Sequence, residues 1–246
     1  MIEVTGLTKR HGSIEVLHDV SFTAQPGRVT GFVGPNGAGK SSTLRILLGL
    51  DRPAAGSATF SGRPYASFAR PLVEVGSMLD GSGAHPSRTA RAHLGWVAAS
   101  NRIPRHRIAT VLEVVGLESA ARRRVGTFSL GMGQRLGLAT ALLGEPPVLV
   151  LDEPVNGLDP EGVRWLRRLL RGHADAGGTV LLSSHLMGEL AEIADDVVVI
   201  HRGRIRAAGT LAQVTGAHTS LEDAFFALTG GEGSTASSSC QAGGAR

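Results

Sequence analysis

Apolar and polar positions alternate along residues 2–24, as in Ile2-Glu3-Val4, Glu15-Val16-Leu17-His18 and Val20-Ser21-Phe22. Successive strand side chains point to opposite faces, so this stretch predicts half-buried strands. Pro26-Gly27 signals a turn, and Val29-Thr30-Gly31-Phe32-Val33 follows as an apolar, β-prone run. Residues 41–48 then change to helical periodicity, ending at Gly49. A short strand is expected at Ala58–Gly62. Between 88 and 124 the apolar positions Ala90, His93, Leu94, Val97 and then Ile108, Val111, Leu112, Val115 recur at helical spacing, with Pro104 and Gly116 as punctuation. A further helix is predicted over 131–143, with Gly144 as its cap. Val148–Leu151 is apolar without interruption and suits a central strand covered on both faces. Pro160 opens a helix carrying Val163, Leu166, Leu169 and Leu170 that stops at Gly177-Gly178. Strands follow at 179–182 and 197–200, Arg202-Gly203 reads as a hairpin turn, and a last helix is expected from Leu221 to Leu228.

Composition narrows the class. The 246 residues, 42% of them hydrophobic, suffice for a sizeable core and favour one α/β domain over disorder. No apolar run approaches the roughly 18–20 residues of a membrane span, and Met1-Ile2-Glu3-Val4 lacks a signal-peptide pattern. The expected location is therefore the cytosol, or a membrane reached through a partner. The single cysteine, Cys240, excludes a disulfide framework and a cysteine-based zinc site. From Gly230 onward the chain is Gly, Ser and Ala, and disorder is expected there. The net charge of +4 is too modest for a general nucleic-acid binder, and no nucleic-acid partner is expected. Its distribution is uneven, however. Arg88, Arg91, Arg102, Arg105, Arg107, Arg122, Arg123 and Arg124 crowd a stretch whose only acids are Glu113 and Glu118. This suits either a solvated helical face or a surface facing anionic lipid headgroups or an acidic partner loop.

The candidate chemistry begins at Gly34-Pro35-Asn36-Gly37-Ala38-Gly39-Lys40-Ser41, a complete match to the phosphate-loop pattern G-x-x-x-x-G-K-[ST] between a predicted strand and a predicted helix. Gly34, Gly37 and Gly39 let the backbone curl so that N–H groups converge on phosphate oxygens, and the helix N-terminus adds partial positive charge. Lys40 would reach the β- and γ-phosphates and the Ser41 hydroxyl would ligate Mg2+. Downstream, Asp152 and Glu153 close the buried strand. An Asp in that place holds Mg2+, and a second carboxylate can orient or deprotonate an attacking water. His185 follows Leu181-Leu182-Ser183-Ser184 at another strand's carboxyl end, the edge where doubly wound sheets bind ligands.

Five segments in this order resemble the ATP-binding subunit of an ABC transporter over about residues 1–230. Residues 34–42, including Ser42, look like its Walker A motif, Val148 to Glu153 like Walker B, Asn156-Gly157-Leu158-Asp159 like the D-loop, and His185 like the switch histidine. Phe128-Ser129-Leu130-Gly131-Met132-Gly133-Gln134-Arg135 looks like the signature motif. Phe128, Leu130 and Met132 depart from the common Leu-Ser-Gly-Gly-Gln wording, while Ser129 and Gly131 stay. The Ser-Leu-Gly-Met wording resembles the bacterial antibiotic and multidrug exporters of the bacitracin and daunorubicin type. His11 stands where the family usually stacks an aromatic on adenine, with Val16 nearby, and Asp80 stands at the Q-loop position, where a carboxylate can bind a Mg2+-bound water but cannot donate a hydrogen bond.

The resemblance implies an α/β P-loop NTPase fold, with a RecA-like parallel sheet, an antiparallel β-subdomain and a helical subdomain at about 81–143, the ATP-binding domain spanning 1–229. It implies ATP and Mg2+ as ligands, with Ser41, Asp152 and Asp80 at the metal and Glu153 and His185 in catalysis. It also implies a homodimer in which each ATP is gripped by Lys40 of one chain and by Ser129, Gly131 and Met132 of the other, with Asp159 communicating between them. The expected partner is an integral membrane permease at the cytoplasmic face of the membrane, and the expected role is to power an exporter. A non-transport ABC ATPase of DNA maintenance or translation is the alternative, but the chain lacks the coiled-coil insertion or second cassette usual there.

Overall fold

The computed structural model describes residues 1–79 and 81–230. In chain order it holds β1 (Ile2–His11), β2 (Ile14–Ala24), β3 (Arg28–Val33), α1 (Lys40–Leu47), β4 (Ala55–Phe60), α2 (Pro71–Glu74), β5 (Val75–Met78), α3 (Ala90–Ser100), α4 (His106–Val114), α5 (Leu130–Leu142), β6 (Val148–Asp152), α6 (Pro160–Asp175), β7 (Thr179–Ser184), α7 (Met187–Ala191), β8 (Asp196–His201), β9 (Arg204–Thr210), α8 (Leu211–Thr215) and α9 (Leu221–Thr229). They form a three-stranded antiparallel sheet, β2-β1-β4, and a six-stranded sheet, β5-β6-β7-β3-β8-β9, in which only β9 runs antiparallel.

The two faces of the larger sheet explain its uninterrupted apolar strands. On β6, Leu149 and Leu151 point into one core and Val148 and Val150 into the other. The same division separates Val180 and Leu182 from Leu181 on β7, and Val197 and Val199 from Val198 and Ile200 on β8. The first core is closed by residues of α3 to α7 and α9, among them Leu94, Leu112, Leu136, Leu166, Leu190 and Phe225. The second lies between the two sheets, where Ile2, Leu7, Leu17 and Phe22 meet Phe32 and the Leu44 and Leu47 side chains of α1. Gly31 lets α7 approach the sheet: a Cβ there would lie 2.2 Å from Leu190 Cδ2.

Helix ends follow local rules. Past α1, the N–H groups of Gly49 and Leu50 donate to the carbonyls of Ile46 and Arg45 at 3.0 and 2.8 Å, with Gly49 at φ 67°. This closes the helix by a glycine in the left-handed region. The expectation for α5 needs correction: its cap is Leu143, in helical geometry, not Gly144. Gly144 serves packing instead, since a Cβ there would stand 2.3 Å from the Leu72 carbonyl oxygen. Arg202 and Gly203, both at positive φ, make the predicted β8–β9 hairpin turn. No helix among the described residues is long and apolar enough to cross a membrane.

Candidate functional site

β3, β6 and β7 run parallel, with Val33 paired to Ser184 and Asp152 to Ser183, so the chain leaves all three strands along one edge of the sheet. Three motifs distant in sequence meet there. The loop after β3 turns through Gly37 (φ 79°) and Gly39 (φ 110°) into α1. Gly39 has no room for a side chain, because its Cβ would lie 2.5 Å from Leu17 Cδ2 and 3.3 Å from the Val16 carbonyl oxygen. Val16 is thus brought against the loop. At Gly34 a Cβ would come within 2.3 Å of the Ile200 carbonyl oxygen. Lys40 is only 6% exposed, and its ammonium donates to the Gly34 carbonyl at 2.6 Å while standing 3.6 Å from Glu153 Oε1. The ammonium is therefore held over the loop between a backbone acceptor and a carboxylate.

At the end of β6, Asp152 is 8% exposed. Its Oδ2 accepts from Ser41 Oγ at 2.8 Å, and its Oδ1 accepts from the Ser183 hydroxyl. Glu153 adopts φ 48°, left-handed for a side-chain-bearing residue, at a cost of about 1–2 kcal/mol. The surrounding bonds compensate. The Glu153 N–H is shared between the Ser183 carbonyl and hydroxyl oxygens at 3.2 and 3.1 Å, and the Glu153 carbonyl accepts from Gln134 Nε2 at 3.2 Å. The turn aims the carboxylate at Lys40 on one side and at His185 on the other, where Glu153 Oε2 lies 2.8 Å from Nδ1. An ionised carboxylate only accepts, so Nδ1–H is the donor and Nε2 remains for a substrate oxygen or water.

The structure thus joins Lys40, Ser41, Asp152, Glu153 and His185 by direct contacts. Ser129, Gly131, Met132 and Asp159 form a second cluster. They line a cavity of about 420 Å³ together with Leu130, Arg135, Gly157 and Leu158. Ser129 caps α5, its Oγ accepting from the Met132 N–H at 3.2 Å, and Asp159 caps α6, its Oδ1 accepting from the Gly162 N–H at 2.7 Å. Gly131 sits under the D-loop backbone, where a Cβ would be 2.8 Å from the Gly157 carbonyl oxygen. His11 is exposed at the tip of the β1–β2 hairpin, across from Ile14. The expectation placed on Asp80 lies outside the described residues, as does that placed on 231–246.

The residues at the sheet edge fit Mg2+. Asp152 is a buried carboxylate with no ion-pair partner among the described residues, and with Ser41 it offers only hard oxygen donors, the set this cation prefers. Two contributors were not assigned roles from sequence. Ser183 links the Asp152 carboxylate to the Glu153 backbone, and Gln134 links α5 to the Glu153 carbonyl. The signal for Ser183 is a pair of hydroxyls, Ser183-Ser184, closing β7 after the apolar Val180-Leu181-Leu182; Gln134 is visible only as part of its motif.

Known proteins resemble the chain in sequence and in fold. Residues 17–156 match the family model described as ABC transporter. The chain is 39% identical over 208 residues to the bacitracin transport ATP-binding protein BcrA of Bacillus licheniformis, covering 83% of this chain and 68% of that protein. It is 36% identical over 205 residues to the lantibiotic transport ATP-binding protein SrtF of Streptococcus pyogenes, covering 83% and 89%. Among solved structures, an ATP-binding subunit of an ABC transporter superposes with a TM-score of 0.84 at 29% identity, covering 93% of this chain and 99% of that one.

Proposed function

The chain belongs to the ABC transporter family, as an ATP-binding and ATP-hydrolysing subunit, and on that premise we propose that it works as a homodimer on an integral membrane permease, at the cytoplasmic face, to drive export of a drug or antibiotic. The observation that carries the chemistry is the Lys40–Glu153–His185 cluster beside the Ser41–Asp152 pair. Backbone N–H groups of residues 36–41 and the Lys40 ammonium bind the β- and γ-phosphates. Ser41 and Asp152 would hold Mg2+, which would supply positive charge to neutralise the phosphates. Glu153 accepts a proton from the water that attacks the γ-phosphorus in line, as the bond to the β–γ bridging oxygen breaks and ADP leaves with that oxygen, and His185 keeps the carboxylate oriented while its Nε2 faces the γ-phosphate. Val16 and His11 flank the adenine.

Ser129, Gly131 and Met132 complete the site of the opposite chain: their hydroxyl and backbone N–H groups lie at the start of α5, where an anion is favoured, yet they form a cluster separate from Lys40. Asp159, in that same cavity, senses the partner's site. Segment 81–143, with α3, α4 and α5, is the helical subdomain that meets the permease, and residues 1–229 act as one ATP-binding domain. The exporter reading is supported by the bacitracin and lantibiotic transport relatives.

The test is Glu153→Gln. The variant is expected to bind MgATP with near-wild-type affinity while turnover falls by about 10²-fold or more, the scale of removing a general base. Used as bait on detergent-solubilised native membranes, it is expected to retain a polytopic membrane protein. Normal turnover would remove Glu153 from catalysis. Recovery of ribosomal or DNA-associated proteins with no membrane protein would replace transport with a non-transport ABC role.

A further inference from the structure

The arginine-rich stretch has no part in the nucleotide site, and the fold concentrates it. Residues 121–125 run antiparallel beside 88–91: Thr89 bridges Arg124, the Arg91 N–H donates to the Ala121 carbonyl at 2.9 Å, and the Val125 N–H donates to the Arg88 carbonyl at 2.9 Å. This pairing gathers Arg88, Arg91, Arg122, Arg123 and Arg124, all exposed, around the start of α3. None of the five makes an ion pair with a carboxylate among the described residues. The first turn of α3 carries no acid, although cations there oppose the helix dipole. Trp96 lies in the same patch, 58% exposed, with the Arg88 guanidinium 4.9 Å from its ring centroid. These placements bring like charges together at the wrong helix end and leave most of a large aromatic in water, against the modest return of the Arg88–Trp96 contact and a 3.1 Å hydrogen bond from Arg123 to the Thr127 carbonyl. An ordinary solvated face mixes charge signs.

We propose that this face docks on anionic phospholipid headgroups. Guanidinium groups match phosphate oxygens in bidentate geometry, and clustered basic residues are drawn to the negative surface potential of a bilayer. Trp96 favours a membrane over an acidic protein segment, because an indole beside cations partitions to the headgroup level. The lipid contact is independent of hydrolysis and would orient the chain beneath the bilayer before any permease contact.

The experiment is flotation of the full chain with vesicles of phosphatidylglycerol mixed equally with phosphatidylcholine, against phosphatidylcholine alone, with MgATP turnover read in the same samples. The chain is expected to float only with the anionic vesicles and to be released by raised salt. Each arginine is worth on the order of fivefold in affinity, so the triple variant R88E/R91E/R122E is expected to lose about 100-fold or more while turnover persists. Trp96→Ala is expected to weaken flotation by less. Equal flotation with both vesicle types, no flotation, or a triple variant that floats like the natural chain would overturn the proposal. So would binding only to phosphatidylcholine vesicles that carry an acidic permease segment, which would give the face to a protein partner.

Discussion

At the scale of single residues, the site depends on groups held where their charge is used. Lys40, Asp152 and Glu153 are each tied by at least one short polar contact. Their placement was legible because motif spacing puts them at strand ends, and β3, β6 and β7 pair in the order that brings those ends together. Ser183 and Gln134 were not legible as partners of Glu153, since their contacts depend on a left-handed turn that no local pattern announces. A titration should expose another buried group, His93, which is 4% exposed, contacts Thr140 Oγ1 at 3.3 Å and leaves Nδ1 without a hydrogen-bond partner among the described residues. Burial first, and Arg88 second, push its pKa below the ordinary histidine value, and burial does the same to His173. The unfolded chain therefore takes up these protons first as pH falls through about 6.5. Stability is predicted to drop below that pH, by at most about 1.4 kcal/mol per pH unit for each histidine. Urea unfolding across this range is expected to show the slope, and His93→Gln is expected to reduce it, with His173 keeping its share; an unchanged slope would show that His93 does not titrate this way.

At the scale of elements, polarity pattern and caps did most of the work. α6 shows both: Asp159 caps it, Pro160 occupies its first turn, and Leu166, Leu170 and Ala174 are buried on one face. Removing that cap by Asp159→Ala is predicted to cost about 1 kcal/mol, read as a lower urea midpoint with unchanged slope, with Asp159→Asn recovering most of it. A loss equal for both variants would mean that the cap is not the source. Elements without such signals were less visible. β5 has four residues and follows directly on the one-turn α2, too short for a period to register. β9, at the sheet edge, has no fully buried residue and reads Arg-Ile-Arg-Ala-Ala-Gly-Thr, so only its turn marked it. α7 is a five-residue helix whose position depends on Leu190 resting over Gly31, a long-range fit.

At the scale of the whole molecule, the sheet-edge residues and the Ser129 cavity form two separate clusters, and on the proposed reading each is half of a site. The first has the phosphate loop, the carboxylates and His185; the second has the helix start at Ser129 and the cavity shared with the D-loop. Two copies placed head to tail would give each ATP both halves, and this two-chain site is the central claim. It is tested most directly by mixing two inactive variants, Lys40→Ala and Ser129→Arg, and measuring ATP turnover. In a mixed dimer both defects fall on one site and the other is intact, so turnover is predicted to recover well above that of either variant alone. If each chain hydrolysed ATP with its own Ser129, every site would carry a defect, and a mixture no more active than its components would contradict the claim.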